Sequence, residues 1–161
     1  MTKIDVAMIK KLRDESGAPV IRVKKVLEEF GGDKSLTSDE VEKKALELLK
    51  KEGFEKAAKR EGRATAQGKI FSYVHHSGKI GVLVEILCET DFVAKNELFE
   101  QLGKDFCLQI TSVDPKNEKE LLEGEFIKDP SKKMSDLVKE VIAKTGENVV
   151  LGKFARLQIG K

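Results

Sequence analysis

Apolar positions over the first third of the chain recur at helical spacing, in three segments divided by turn signals. The first segment follows Thr2-x-x-Asp5, which resembles a capping box, and it repeats every fourth residue in Ile4, Met8 and Leu12, with Ile9 beside them. The turn Gly17-Ala18-Pro19 ends this segment and predicts Pro19 as the first residue of the next helix.

The second and third segments have the same amphipathic character. One stops at Gly31-Gly32 and carries the stripe Val20, Val23, Leu27 and Phe30. The other begins at the capping box Thr37-x-x-Glu40 and is predicted to stop at Gly53, with its stripe in Val41, Ala45, Leu48 and Leu49. Three such helices bury their stripes only against one another, so residues 1–54 are predicted to form a small three-helix domain.

Residues 55–66 are predicted to form a connector between two domains. From Lys50 to Lys69 the chain holds seven Lys or Arg against three Glu. A patch for nucleic acid usually interleaves aromatic side chains with its basic residues, and here only Phe54 stands at the edge. We therefore favour a solvated basic linker over a nucleic-acid site, with helical character allowed up to Arg60.

From Gln67 the apolar period changes from helical to alternating. Lys69–His76 and Lys79–Glu89 are predicted as two strands joined by a tight turn at Ser77-Gly78, which makes an antiparallel hairpin. The second strand places its core face in Ile80, Val82, Val84, Ile86 and Cys88.

The remainder of the chain combines helices with one more strand. A helix from about Lys95 directs inward Phe99, Leu102, Phe106 and Ile110. Residues 112–133 are predicted to be irregular, apart from a helical piece at Glu118–Glu123. A further helix ends at Thr145-Gly146, after the stripe Met134, Leu137, Val138, Val141 and Ile142.

The last predicted strand alternates Val149, Leu151, Ala155, Leu157 and Ile159, with Lys153 interrupting the run. Residues 67–161 are therefore predicted to form a second domain, a small antiparallel sheet with helices packed on one face. The predicted class of the whole chain is α+β.

Composition supports a core and argues against several classes of function. Hydrophobic residues make up 40% of the chain and charged residues 36%, while the net charge is only +2, so no strong attraction to nucleic acid or membranes is predicted. No apolar run approaches the roughly 20 residues that a membrane helix requires. The charged N-terminus does not resemble a signal peptide. Two cysteines make no disulfide framework, and we expect a protein of the reducing cytoplasm.

The constellation to weigh for catalysis combines Cys88 with His75, His76 and Asp91. A thiol nucleophile needs a nearby base and an exposed, electropositive setting. Cys88 lies on the apolar face of its strand, which favours a buried small hydrophobe. Zinc would need closely paired ligands such as C-x-x-C, and consecutive histidines in a strand point their rings to opposite faces. No glycine-rich phosphate loop occurs, so neither a catalytic site nor a cofactor is predicted.

The strand-to-helix corner Thr90-Asp91-Phe92-Val93 is the remaining candidate site. Locally, Thr90 or Asp91 can cap the following helix, and Phe92 can close the core behind it. On these residues alone, a purely structural corner and a binding site stay open as alternatives.

Four segments resemble the elongation factor Ts family, in the right order and over most of the chain. They are LRDESGAP near the start, AAKREGRATAQG in the connector, GKIGVLVEILCETDFVAKNELF over residues 78–99, and AKTGENVVLGKFAR over residues 143–156. The central block is the most specific of the four. On these motifs the chain is identified as a member of that family, the guanine-nucleotide exchange factors of translation.

The resemblance implies a partner, elongation factor Tu bound to GDP, and an N-terminal helical domain similar to the ubiquitin-associated (UBA) domain. In the family, the Thr-Asp-Phe-Val segment is associated with displacing Mg²⁺ from the partner's nucleotide site, and it maps onto Thr90, Asp91, Phe92 and Val93. The further residues that the resemblance expects at the partner are Arg13, Gly17, Val20, Ile21 and Asn96. It also implies a non-catalytic factor that binds no nucleotide, cofactor or metal itself.

Some features depart from the family pattern. Pro19 stands where glycine is usual and Arg22 where an acidic residue is common, which bears on the N-terminal contacts. Longer members carry a duplicated core and a coiled-coil insertion, and residues 112–133 are too short for either. We therefore hypothesise that the single core pairs with a second copy of the chain. The alternative function is a UBA-like module that recognises peptides through the Gly17-Ala18 loop, joined to a domain that only dimerises.

Overall fold

The computed structural model describes residues 4–161. Its first three helices are Val6–Ser16 (α1), Val20–Gly31 (α2) and Ser38–Ala58 (α3). They enclose one apolar cluster, formed by Leu12, Val23, Val26, Leu27, Val41, Ala45 and Leu49. The three helices predicted for the N-terminal part are therefore present and packed on one another, while the domain limits at residues 54 and 67 stay predictions.

Capping side chains mark the starts of two of these helices. Asp5 caps α1, because its Oδ1 accepts a hydrogen bond from Met8 N at 2.7 Å. Thr2, the other half of the predicted capping box, lies outside the described residues. The box at α3 is confirmed: Glu40 Oε2 accepts from Thr37 N at 2.8 Å.

Two details of α2 differ from the prediction. Pro19 is the N-cap residue rather than the first helical residue, because its backbone is extended, with ψ 142°, while its carbonyl accepts from Val23 N at 3.0 Å. Val20 is 46% exposed and does not belong to the buried stripe. It lies in the first turn, ahead of Val23, where burial begins.

The end of α3 predicted at Gly53 is wrong, because the helix continues to Ala58. Gly53 permits a close approach instead: a Cβ at this position would lie 3.2 Å from Cβ of Ala143. Ala143 belongs to the helix Met134–Thr145 (α7), which packs against α3. Helix packing here outweighs the low helix propensity of glycine, which is worth about 1 kcal/mol.

The predicted hairpin is confirmed. Gln67–Val74 (β1) and Ile80–Cys88 (β2) pair antiparallel along their whole length. The predicted core face of β2 is buried from Val82 onward, with Val84, Ile86 and Cys88 fully enclosed. Alternation of apolar residues was a sufficient signal here because one face of the strand is covered and the other is open.

Three helices precede α7 in the second half of the chain: Asp91–Ala94 (α4), Glu97–Val113 (α5) and Glu118–Glu123 (α6). The inward positions predicted for α5 are all buried, namely Phe99, Leu102, Phe106 and Ile110. The separate short helix α4 was not expected, and it forms the corner described below.

The stretch predicted as irregular between α5 and α7 also contains a small hairpin, Glu125–Phe126 (β3) with Asp129–Lys133 (β4). A buried side chain of α5 holds it: Gln109 Nε2 donates to Glu125 O at 2.8 Å, and its Oε1 accepts from Ile127 N at 3.0 Å. These hydrogen bonds come from a residue distant in the sequence, and for this reason the local pattern did not predict the hairpin.

Val149–Gln158 (β5) completes a three-stranded antiparallel sheet in the order β1-β2-β5. Helices α5 and α7 pack on one face of this sheet, over a core whose largest members include Phe99, Phe106, Ile86, Ile110 and Met134. The α+β class is therefore confirmed. Among the helices of residues 4–161, none is long and apolar enough to cross a membrane.

The alternation predicted along β5 is wrong beyond Leu151. A bulge interrupts the pairing opposite Glu85 of β2, where Gly152 and Lys153 face one residue. The Glu85 side chain lies over this bulge, where a Cβ on Gly152 would meet its carboxylate and Lys153 N donates to Glu85 Oε2 at 3.2 Å. One extra residue exchanges the two faces of the strand. Three residues that were predicted to point into the core are therefore exposed to solvent: Ala155, Leu157 and Ile159.

Candidate functional site

The corner after β2 is a four-residue helix between two capping residues. Thr90 caps α4, because its Oγ1 accepts from Val93 N at 3.4 Å. Asn96 caps α5, because its Oδ1 accepts from Leu98 N at 2.8 Å. Of the two residues considered for the cap, Thr90 fills the role, and Asp91 is the first helical residue.

This corner presents Phe92 to solvent. Phe92 is 82% exposed, whereas Val93 and Ala94 are 7% and 8% exposed. The expectation that Phe92 closes the core is therefore wrong, because the short helix turns the next two residues inward instead. An exposed aromatic ring on a buried support is typical of a residue that binds another molecule.

Asp91 lies next to Phe92 and is also exposed. Its Oδ2 accepts a hydrogen bond from Lys95 Nζ at 3.0 Å. This hydrogen bond, together with the positive charge of Lys95, lowers the pKa of Asp91, so its carboxylate is ionised at neutral pH. Solvent screens an exposed ion pair and makes it weak, so Asp91 can exchange Lys95 for another cation.

Glu147, which sequence reasoning missed, holds the corner from behind. It follows α7, and its Oε2 accepts from Thr90 N at 3.0 Å while its Oε1 accepts from Thr90 Oγ1 at 2.7 Å. The two residues are 57 positions apart, so no local pattern relates them. The available signal was the presence of Glu147 in the segment AKTGENVVLGKFAR.

The residues expected at the partner from the N-terminal part lie around the turn between α1 and α2. Arg13 is exposed in the last turn of α1, and its Nη2 lies 3.3 Å from Oδ1 of Asp14. Gly17 adopts φ 70°, and its N–H donates to Arg13 O at 2.8 Å. Val20 and Ile21 are 46% and 84% exposed. These side chains are therefore accessible for contact.

Two residues of this region also have internal roles. Arg22 ties α2 to α3, because its Nε donates to Glu52 Oε2 at 3.0 Å, and this hydrogen bond lowers the pKa of Glu52. Gly17 packs on α7, where a Cβ would lie 2.6 Å from Cγ of Lys144. Packing within this chain, and not contact with a partner, therefore accounts for glycine at position 17.

The two groups of candidate residues are joined through the C-terminal end of α7. Gly17 packs against Lys144, and Thr90 is held by Glu147. Residues 144 and 147 are separated by three peptide units, at most about 11 Å of chain. A single short segment therefore supports both the turn between α1 and α2 and the corner at residues 90–93.

The geometry does not favour a thiol nucleophile. Cys88 is fully buried, its Sγ donates to Thr90 O at 3.1 Å, and burial raises its pKa. Strand β1 begins opposite Cys88 and ends before His75, which places His75 at the other end of the hairpin, about 25 Å away. A catalytic base must lie within hydrogen-bond distance of its nucleophile, and these two side chains do not.

The prediction that the two histidine rings point to opposite faces is wrong. The ring centroids of His75 and His76 are 4.0 Å apart, because β1 ends at Val74 and strand alternation ends with it. Within residues 4–161, no group of three or more His, Cys, Asp and Glu is placed to hold a metal ion.

Comparison with known proteins supports the resemblance noted in the sequence. A family profile described as "Elongation factor TS" matches residues 89–161. Elongation factor Ts of Leptospira biflexa serovar Patoc is 42% identical, over 94% of this chain and 96% of the relative. Elongation factor Ts of Desulforamulus reducens is 37% identical, over 100% of this chain and 91% of the relative. That of Oleidesulfovibrio alaskensis is 36% identical, over 99% of this chain and 100% of the relative.

The alignment with the Leptospira protein spans 197 residues, whereas this chain has 161, so the relative carries segments that this chain lacks. The similarity nevertheless runs from the three N-terminal helices to the last strand. The chain belongs to the elongation factor Ts family of translation elongation factors.

Proposed function

We propose that this protein is the guanine-nucleotide exchange factor for elongation factor Tu in translation elongation, and that it works in the cytoplasm. The observation that carries the proposal is the corner, where Phe92 is 82% exposed on a support of buried Val93 and Ala94. Membership of the elongation factor Ts family supports the same partner. The alternative, peptide recognition through the Gly17-Ala18 loop, is less favoured because Gly17 packs against Lys144.

An exchange factor needs a rigid projecting group rather than catalytic chemistry. A GTPase holds its nucleotide through Mg²⁺ and through backbone amides at a helix N-terminus. A protein that binds best when these elements are displaced weakens nucleotide binding by the same coupling free energy. The direction of exchange then follows the concentrations of free GTP and GDP, so no nucleophile, base or cofactor is required.

Phe92 is the projecting group in this proposal, and it inserts between helices of the partner beside its magnesium site. Asp91 leaves Lys95 and offers its carboxylate to partner groups that otherwise maintain the closed site. Thr90 and Val93 keep the corner rigid, one as the cap of α4 and the other as its buried anchor. Asn96 caps α5 directly behind them.

The N-terminal residues provide a second area of contact. Arg13, Val20 and Ile21 are exposed around one turn, and in this proposal they dock on the nucleotide-binding domain of the partner. Because Gly17 in the same turn packs on α7, this contact fixes the bundle and the corner together on the partner. Two linked contacts raise the effective concentration of Phe92 at its target.

The protein is expected to bind nucleotide-free elongation factor Tu more tightly than the Mg²⁺·GDP form. Linkage requires that this affinity ratio equal the factor by which the bound protein weakens GDP binding. Calorimetric titration of both forms of the partner measures the first quantity, and GDP titration of the complex measures the second. Equal affinities for the two forms would contradict exchange activity.

We further propose that the open face of the sheet pairs with a second copy of the chain. It carries aliphatic side chains that are 52–78% exposed, namely Ile70, Val74, Leu83 and Leu157, with Ile159 directly after β5. Large exposed apolar patches mark interaction sites on soluble proteins. A two-fold axis would bury this open face against itself.

Leu157→Glu is expected to convert the dimer into a monomer, because it places a charge within the paired faces, where desolvation is costly. Light scattering after size exclusion, at several protein concentrations, measures the mass. Val6→Glu is the matched control, since Val6 is 81% exposed on α1 and should leave the mass unchanged. A monomeric wild-type protein, both free and bound to the partner, would refute the pairing.

A further inference from the structure

Both hydrogen-bond donors of Thr90, its hydroxyl and its backbone N–H, bind the carboxylate of Glu147. The hydroxyl of Thr90 accepts from Val93 N as the cap of α4, and it donates to Glu147 Oε1. The backbone N–H of Thr90 donates to the second oxygen of the same carboxylate. Hydrogen bonds to an ionised carboxylate are shorter and stronger than neutral ones, so one side chain fixes the start of the short helix at two points.

The neighbours of Glu147 hold it in place in turn. Asn148 is only 3% exposed; its N–H donates to Glu89 Oε1 at 2.6 Å and its Nδ2 donates to Arg63 O at 2.9 Å. On the other side, Gly146 adopts φ 82° and turns the chain out of α7. The backbone at Glu147 is therefore held on both sides, and Asn148 connects Glu89 at the end of β2 with Arg63 before β1.

We propose that Glu147 is a positioning residue for nucleotide exchange, which sets the direction of Phe92 by holding Thr90. This inference rests on the proposed function. Phe92 is 82% exposed and has little packing of its own, so its direction depends on α4. A helix of four residues is not stable alone, and it depends on its cap. Without Glu147, Phe92 samples more directions, and ordering it on binding becomes less favourable.

Glu147→Ala is expected to lower the stimulated rate of GDP release from elongation factor Tu by roughly tenfold, measured well below the melting temperature. Glu147→Gln keeps the size and one acceptor, so it should lose less. Thr90→Val removes the shared hydroxyl and should resemble Glu147→Ala, whereas Thr90→Ser retains it and should lose less activity than Thr90→Val. Glu123→Ala, at an exposed site on α6, is the matched control and should have no effect.

A double-mutant cycle with Phe92→Ala separates positioning from general support. If Glu147 acts through Phe92, Glu147→Ala causes no further loss once the ring is absent, and the two effects are strongly non-additive. An equal loss in both backgrounds would overturn the inference, and so would a wild-type rate for Glu147→Ala. If Glu147→Ala does not fold, Glu147→Gln and Thr90→Val complete the same cycle.

The outcomes also distinguish this inference from the function on which it rests. Loss of activity in Phe92→Ala, combined with full activity in Glu147→Ala, removes the positioning role and leaves the exchange function intact. Absence of any stimulation by the wild-type protein removes the proposed function itself, and the positioning role with it.

Discussion

Phe92→Ala is expected to lower the rate at which this protein releases GDP from elongation factor Tu by about ten- to a hundredfold, the loss that corresponds to an interface hot spot of about 1.4–3 kcal/mol. The melting temperature should stay within about 2 °C of wild type, because an exposed surface substitution removes little buried area. Phe92 is 82% exposed. Stopped-flow release of fluorescent GDP, with a thermal melt of the same preparation, measures both quantities.

The control for this variant is Val113→Ala. Val113 is 47% exposed at the far end of α5, so its truncation also removes an exposed apolar side chain but leaves the corner unchanged. It should alter neither the release rate nor the melting temperature. A wild-type release rate for Phe92→Ala would show that Phe92 is not the group that opens the partner.

Phe106→Ala is expected to have the opposite profile, with a large loss of stability. Phe106 is 0% exposed on the inner face of α5, and truncation of a buried Phe costs about 3–5 kcal/mol. That is a large part of the roughly 5–15 kcal/mol that stabilises a typical domain. The melting temperature should fall by about 10 °C or more.

Urea titration at low temperature checks this second prediction, because the midpoint should fall while the slope stays close to wild type. Below the transition, the folded Phe106→Ala protein should still stimulate GDP release, since its corner is unaltered. A midpoint equal to that of wild type would mean that Phe106 is not packed in the core. The two phenylalanines therefore separate function from stability with one type of substitution.

Local signals in the sequence were sufficient for most elements of the fold. The box at Thr37 and Glu40 starts α3 as predicted, because both of its hydrogen bonds lie within one turn. The alternation along β2 identifies its buried face correctly, because one face of the sheet is covered. In both cases the signal lies within a short segment of the sequence.

Long-range contacts decided the features that were predicted wrongly. Gly53 does not end α3, because Ala143 packs against it. The faces of β5 exchange at Gly152 and Lys153, because these two residues lie opposite the single residue Glu85 of β2. The hairpin after α6 depends on Gln109 of α5. No local pattern carries these partners.

The site was only partly predictable for the same reason. The motif identified residues 90–93, but local reasoning placed Phe92 in the core, whereas it is exposed. The supporting residue Glu147 lies 57 positions from Thr90, so only the folded chain relates the two. The contacts that Arg13, Val20 and Ile21 make with a partner stay predictions.

The most direct test of this account is the release of fluorescent GDP from elongation factor Tu in an excess of unlabelled GTP, followed over a range of concentrations of the wild-type protein. The account predicts that the release rate rises with concentration of the protein towards a plateau, far above the spontaneous rate in the presence of Mg²⁺. A release rate equal to the spontaneous one at every concentration, with the protein shown to be folded, would contradict the account.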